Sequence, residues 1–189
     1  MTEPFFFGYG SLVNTATHDF PEPHPATLQG WRRAWRHTDL RPVAFLTAVP
    51  HPTSQIDGLI AHVPNDDWAA LDQREWAYDR IPATQSITHS VNRSMEIALY
   101  AVPADRQSAP DTQHPILLSY LDVVVQGYKQ AFGLPGVERF FATTDGWAAP
   151  ILNDRADPRY PRHQSLTPAE TKLVDTALDA LGAKVTLPA

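Results

Sequence analysis

Three consecutive phenylalanines run into two glycines at Phe5-Phe6-Phe7-Gly8-Tyr9-Gly10-Ser11-Leu12-Val13-Asn14. An apolar run this short suits a buried strand, since strands hold roughly 4–8 residues and helices need more. Glycine lets the backbone turn sharply and leaves amide N–H groups uncovered. Successive uncovered amides form a concavity that receives an anion. The segment therefore predicts a first strand whose end holds a carboxylate- or phosphate-sized receptor. A plain strand-ending turn is the alternative reading of such a loop.

Three familiar glycine-loop chemistries do not fit. A dinucleotide fingerprint needs a third glycine where Val13 stands, and no Gly-Lys-Ser/Thr of a Walker loop occurs. A nucleophile elbow around Ser11 would need glycine at positions 9 and 13, which are Tyr9 and Val13.

A chain of 189 residues is expected to make one domain with a sizeable core. Its 43% hydrophobic and 19% charged content suits a globular protein rather than a disordered one. The 18 prolines argue against a helical bundle. A net charge of −6 weighs against a nucleic-acid surface, and the basic cluster Arg32, Arg33 and Arg36 reads as a solvated strand face. The absence of cysteine excludes disulfides, thiolate metal sites and cysteine nucleophiles, and is compatible with the cytoplasm. No signal peptide is expected, and no apolar run approaches the ~18 residues of a membrane span. None of the eight histidines has His-x-His or His-Glu-x-x-His spacing, so no metal is expected.

Periodicity predicts strands at Phe5–Tyr9, Leu28–Thr38, Val43–Val49, Gln55–Val63, Arg80–Ser90 and Met95–Ala101. A short helix, Asp66–Trp76, is expected with Asn65 as its cap. An amphipathic helix is expected over Pro115–Phe132, stopped by Gly133-Leu134-Pro135-Gly136. Thr167-Pro168-Ala169-Glu170 is a capping box that opens a last helix ended by Gly182. The fold class is α+β: one mixed domain with a curved sheet or small barrel and a few helices.

Two side chains stand out beside the loop. Glu75 shares a predicted helix face with Trp68 and Leu71, where lost water would raise its pKa toward that of a useful base or acid. A glutamate paired with Arg74 or Arg80 is the alternative. Tyr120 lies on the inner stripe of the mid-chain helix, where a core tyrosine with a satisfied hydroxyl is the ordinary occupant.

The ordered set of motifs resembles the gamma-glutamylcyclotransferase-like superfamily, including its ChaC-type members. The set comprises Tyr9-Gly10-Ser11-Leu12, Gly30-Trp31-Arg32-Arg33, Ile56-Asp57-Gly58-Leu59, Leu71-Asp72-Gln73-Arg74-Glu75 with Tyr78, and Tyr120 followed by Gly127-Tyr128-Lys129. The likeness covers a core of about 5–135. The stretch from about 147 to 189 forms a C-terminal helical arm with no role readable in it. Trp76 replaces the glycine usual after the family's glutamate. The resemblance implies Glu75 as general acid and base, with Tyr9, Gly10, Ser11, Leu12, Tyr78 and Tyr120 binding substrate. It implies conversion of a γ-glutamyl amide or peptide to 5-oxoproline and a free amine, with no metal or cofactor. The partner expected is a small γ-glutamyl substrate, with no nucleic acid and no membrane; a homodimer is left open. Two other readings stay open: a non-catalytic module that binds a small acid, and an amide hydrolase with Ser11 as nucleophile.

Overall fold

In a computed structural model that describes residues 2–39 and 42–188, the first strand, β1 (Glu3–Gly8), lies in the middle of a sheet. It runs antiparallel to β3 (Phe45–His62) and parallel to β6 (Met95–Ala101). Strand side chains alternate between faces. Phe5 and Phe7 therefore join one apolar cluster with Ile60 and Ile97, and Phe6 joins another with Leu71 and Tyr100. Both faces are covered, and none of the three phenylalanines is more than 1% exposed. This is why an unbroken apolar run, rather than an alternating one, suits the position.

β2 (His24–Arg36) pairs antiparallel with β3. The two predicted strands at 43–49 and 55–63 are one strand, but the register records the interruption. Gln29 faces Gln55 and Trp31 faces Pro50, so His51–Ser54 form an excursion on the β3 side. Opposite it, Gly30 takes φ of 79°, which favours glycine. Such a bulge shifts the alternation by one residue. Ala26 and Leu28 are buried before it, and Arg33 and Trp35 after it.

The expected solvated arginine face is therefore wrong for Arg33, which is 0% exposed. Its Nε donates to the Tyr9 carbonyl at 3.1 Å and its Nη1 to Thr143 Oγ1 at 2.7 Å. Its Nη2 donates to the Asp57 carbonyl and the Tyr128 hydroxyl, both at 2.5 Å. The guanidinium also lies over the rings of Tyr128 and Phe140, at 4.8 and 5.2 Å.

The predicted strand at 80–90 is two strands. β4 (Asp79–Pro82) pairs with β6, whereas β5 (Ile87–His89) pairs with β2. The strand order is β4-β6-β1-β3-β2-β5, so these two strands occupy opposite ends of the sheet. Only Ala83–Ser86 connect them, and so short a link joins the ends only if the sheet curls round. The result is a curled half-barrel in a single domain, as the sequence leads one to expect.

The short helix is α1 (Ala69–Arg74), smaller than predicted. Asn65 lies in a preceding turn with φ of 58° rather than capping it; the Asp67 side chain accepts the Ala69 amide at 3.1 Å instead. β7 (Ile116–Leu117) leads directly into α2 (Leu118–Ala142). The glycine-proline segment kinks α2 instead of ending it. Gly133 takes φ of 67°, and the helix resumes with Pro135 in its first turn, where a missing N–H costs nothing. β8 (Thr144–Asp145) runs parallel to β2. β9 (Ile151–Leu152) joins β7 and β10 (Val185–Thr186) in a small parallel sheet. α3 (Pro168–Ala180) has the predicted capping box and packs Val174 and Leu178 into the cluster formed by α2 and the sheet. No helix among the described residues is long and apolar enough to cross a membrane.

Replacing Arg33 with methionine keeps the volume but removes every guanidinium donor, and the Tyr128 hydroxyl, in reach of the carbonyls of both Tyr9 and Asp57, has one proton and serves only one of them. Each buried group left without a partner costs about 1–3 kcal/mol. Arg33→Met is expected to lower the unfolding free energy by about 3–5 kcal/mol, read by urea denaturation; a loss below about 1 kcal/mol would show that these bonds do not hold the fold.

Candidate active site

The loop after β1 is a single 3-10 turn, Ser11–Val13. The Val13 amide donates to the Gly10 carbonyl at 3.0 Å and the Asn14 amide to the Ser11 carbonyl at 3.1 Å. The first amides of such a turn, those of Ser11 and Leu12, have no carbonyl within it to meet. Asn14 ties the loop to α2, with Nδ2 donating to the Val123 carbonyl at 3.0 Å and to Gln126 Oε1 at 2.9 Å. Gly10 is needed for space rather than for an unusual turn. Its φ is −116°, and a Cβ there would stand 2.7 Å from the Tyr120 hydroxyl oxygen.

α1 delivers the second part. Glu75 closes the helix, its amide donating to the Leu71 carbonyl at 2.9 Å. Leu71 is fully buried beneath, and the Glu75 side chain is 16% exposed. Arg74 Nε lies 3.2 Å from Glu75 Oε1. The same guanidinium donates to the Thr17 carbonyl at 2.9 Å, to Thr17 Oγ1 at 3.1 Å and to Ser11 Oγ at 3.3 Å. One nearly buried arginine thus fixes the glutamate relative to the loop. The pairing of Glu75 with Arg74, raised as an alternative to a chemical role, is present, and it holds the carboxylate at the cavity.

The aromatic walls come from three elements. Tyr78 donates to the Leu46 carbonyl at 3.0 Å and packs edge-on against Phe45. Tyr120, in the first turn of α2, meets Trp35 and Tyr160 edge-on at 5.9 and 5.0 Å. Burial pushes the Tyr120 hydroxyl well above the ordinary tyrosine pKa, and the Glu75 carboxylate adds to the shift. Burial also raises that of Tyr9, whose hydroxyl donates to the Tyr100 carbonyl at 2.5 Å. Both hydroxyls are neutral hydrogen-bonding groups near neutral pH.

These elements enclose a cavity of two adjoining lobes, of about 30 and 90 Å³. The inner lobe is bounded by the loop residues Gly8–Leu12 and by Leu46 and Tyr100. The outer lobe is bounded by Val43–Phe45, Leu117, Arg74, Tyr160 and Arg162. Ser11, Glu75, Tyr78 and Tyr120 line both lobes. All seven residues singled out from the sequence, Tyr9, Gly10, Ser11, Leu12, Glu75, Tyr78 and Tyr120, therefore meet at one cavity.

Sequence reading missed Arg74 as a brace, and it assigned nothing to Tyr160 and Arg162. The signal for the latter pair lay in Asp154. This residue is 1% exposed, and its carboxylate accepts the Ser119 amide at 2.8 Å, the Ser119 hydroxyl at 2.6 Å and the Arg159 amide at 2.9 Å. It caps α2 one residue before Tyr120 and clips the following loop to that helix.

A metal-type cluster exists elsewhere. Ligand atoms of His37, Asp111 and His114 lie within 4.8 Å of one another, but none of the three lines the cavity. The two imidazoles stack with centroids 4.1 Å apart and planes 8° from parallel. Ring lone pairs lie in the ring planes, so two parallel rings do not converge on one ion.

The model of the family described as gamma-glutamyl cyclotransferase, AIG2-like, matches residues 6–119. Among solved structures, a gamma-glutamyl cyclotransferase superimposes with a TM-score of 0.57 at 14% identity, over 91% of this chain and 98% of that one. An uncharacterized protein from Homo sapiens gives 0.59 at 14% identity, over 90% and 97%. YkqA from Bacillus subtilis gives 0.58 at 14% identity, over 77% and 57%. No curated protein sequence matches the chain significantly. The structural likenesses establish the fold; the family model, which spans more than half of the chain, establishes kinship. The chain belongs to the AIG2-like gamma-glutamyl cyclotransferase family.

Proposed function

We propose that this protein converts a γ-glutamyl amide to 5-oxoproline and a free amine, with Glu75 moving the protons. The observation that carries this reading is the placement of Glu75. Its carboxylate is at the junction of the two lobes, and Arg74 ties it to the loop that would hold the substrate's α-carboxylate.

The substrate carries its own nucleophile. Its α-ammonium loses a proton to Glu75, and the amine nitrogen attacks the γ-carbonyl carbon to close a five-membered ring. The tetrahedral centre collapses with cleavage of the original amide C–N bond. The proton held by Glu75 passes to the departing nitrogen, and the second proton of the attacking nitrogen follows through the same carboxylate, so the ring keeps one N–H and the amine leaves protonated. No oxidant, metal or covalent enzyme intermediate enters this balance. The Ser11 and Leu12 amides at the start of the Ser11–Val13 turn would hold the α-carboxylate beside the neutral Tyr120 hydroxyl, which the Ser11 amide meets in this structure. Holding amine and carbonyl in a folded conformer can supply several of the roughly 7–11 kcal/mol available from intramolecular positioning.

Ser11 fits a hydrolytic nucleophile poorly. Its Oγ accepts from Arg74, a guanidinium that takes up no proton, and no histidine lines either lobe. A pure binding module would have no need for a carboxylate at the junction, where it repels an anionic ligand.

Glu75→Gln is expected to keep the fold and lower kcat by about 10²–10⁴, measured as 5-oxoproline release by mass spectrometry. Turnover near that of the wild type would remove Glu75 from the mechanism. N-acetylation of the substrate removes the nucleophile, so an N-acetyl γ-glutamyl amide should release no amine. Amine release at the free substrate's rate would establish hydrolysis instead. Activity is expected to survive dialysis against a strong chelator; loss reversed by added zinc or manganese would overturn the metal-free mechanism. Gly10→Ala places a methyl group against the Tyr120 hydroxyl and should destabilise the protein by about 1–3 kcal/mol. Part of that loss should return in the Gly10→Ala, Tyr120→Phe double variant, and strict additivity would show that the two do not touch.

A further inference from the structure

The outer lobe has a floor and a rim of different character. Val43, Ala44, Phe45 and Leu117 make the floor, and Glu75 is the only acidic side chain in the lining. Two arginines among the described residues, Arg74 and Arg162, share the lobe. Arg74 is neutralised by Glu75 at 3.2 Å, and no acidic side chain among the described residues pairs with Arg162. Among the described residues, Arg162 therefore brings to the mouth a positive charge with no acidic partner.

The backbone carrying that charge is fixed. Asp154 clips the segment to the start of α2, and the Tyr160 amide donates to the same Ser119 hydroxyl oxygen at 3.3 Å. Arg155 binds both oxygens of Asp122 on α2 at 2.7 Å and Asp175 on α3 at 2.7 Å. The Tyr160 ring stands edge-on to Tyr120 at 85°. Arg162 follows two residues later, so the cation is presented from a braced wall.

We propose that Arg162 receives a carboxylate on the leaving group, which makes the preferred substrate a γ-glutamyl amino acid rather than a γ-glutamyl amine. This rests on the cyclotransferase reading above. With the glutamyl part in the inner lobe and its γ-carbonyl at Glu75, the departing amine and its substituents occupy the outer lobe. An apolar side chain would lie on the floor, and the carboxylate would meet the guanidinium, a pairing whose geometry is bidentate and whose strength exceeds that of a neutral hydrogen bond. A leaving group bearing a second amine would meet Arg162 as a like charge.

The test compares γ-glutamyl-leucine with γ-glutamyl-leucinamide, which differ only in the carboxylate, by the ratio of their kcat/KM values for 5-oxoproline formation. The wild type is expected to favour the acid by about tenfold at low salt, with the ratio shrinking as salt screens the exposed pair. Arg162→Gln should bring the ratio to near one, and Arg162→Lys should retain part of it. A wild-type ratio near one, or a ratio unchanged in Arg162→Gln, would overturn the assignment of Arg162 while leaving cyclotransfer standing. Formation of no 5-oxoproline from either compound would overturn the cyclotransferase reading itself, and this assignment with it.

Discussion

A single buried guanidinium holds the site's frame together. Arg33 carries a full positive charge with no carboxylate bonded to it; carbonyl oxygens, hydroxyls and two aromatic faces solvate it instead. Those groups come from the end of β1, from Asp57 within β3, from α2 and from the residue after α2. A buried charge is tolerated only where its donors are met, so each of these segments is committed to one position. The Tyr9 carbonyl is one of them, and the glycine loop begins at the next residue. Asp57 itself turns outward to Arg139, at 2.6 Å, so its backbone and its side chain serve different arginines.

The loop, the glutamate and the last helix were legible from local rules. The run Phe5–Phe7 announces a strand covered on both faces, Thr167 and Glu170 announce a helix start, and the spacing of Leu71 and Glu75 places a carboxylate above a buried leucine. What was not legible depended on register. Arg33 faces inward only because Gly30 shifts the alternation and β3 loops out opposite it, and neither is a property of β2 alone. The division of residues 79–90 between two strands depended on how far the sheet curls, which no local pattern records. Gly133 reads as a stop because a glycine at positive φ usually is one; the helix resumes because Val137, Phe140 and Phe141 have a core to bury into.

The cavity shows a division of labour among its charges. Arg33 supports the loop from behind, Arg74 joins the loop to Glu75 from the side, and Arg162 lines the mouth. The three arginines differ in what surrounds them rather than in chemistry. Only the first belongs to the basic cluster visible in the sequence. The second sits beside the glutamate it positions, and the third lies nearly ninety residues further along.

The order in which these parts appear along the chain has a consequence for synthesis. β1 pairs with β3 and with β6, so the three phenylalanines stay uncovered until residue 101 has been made. α2 then needs Asp154, from beyond its own end, to satisfy its first turn. A ribosome emits the glycine loop before every other wall of the pocket, the last of which arrives with Arg162. Long-range pairings of this kind close slowly, and an exposed aromatic strand is a site for misassociation while they do. The first strand therefore waits for partners made much later, and the pocket is among the last features of the molecule to take shape.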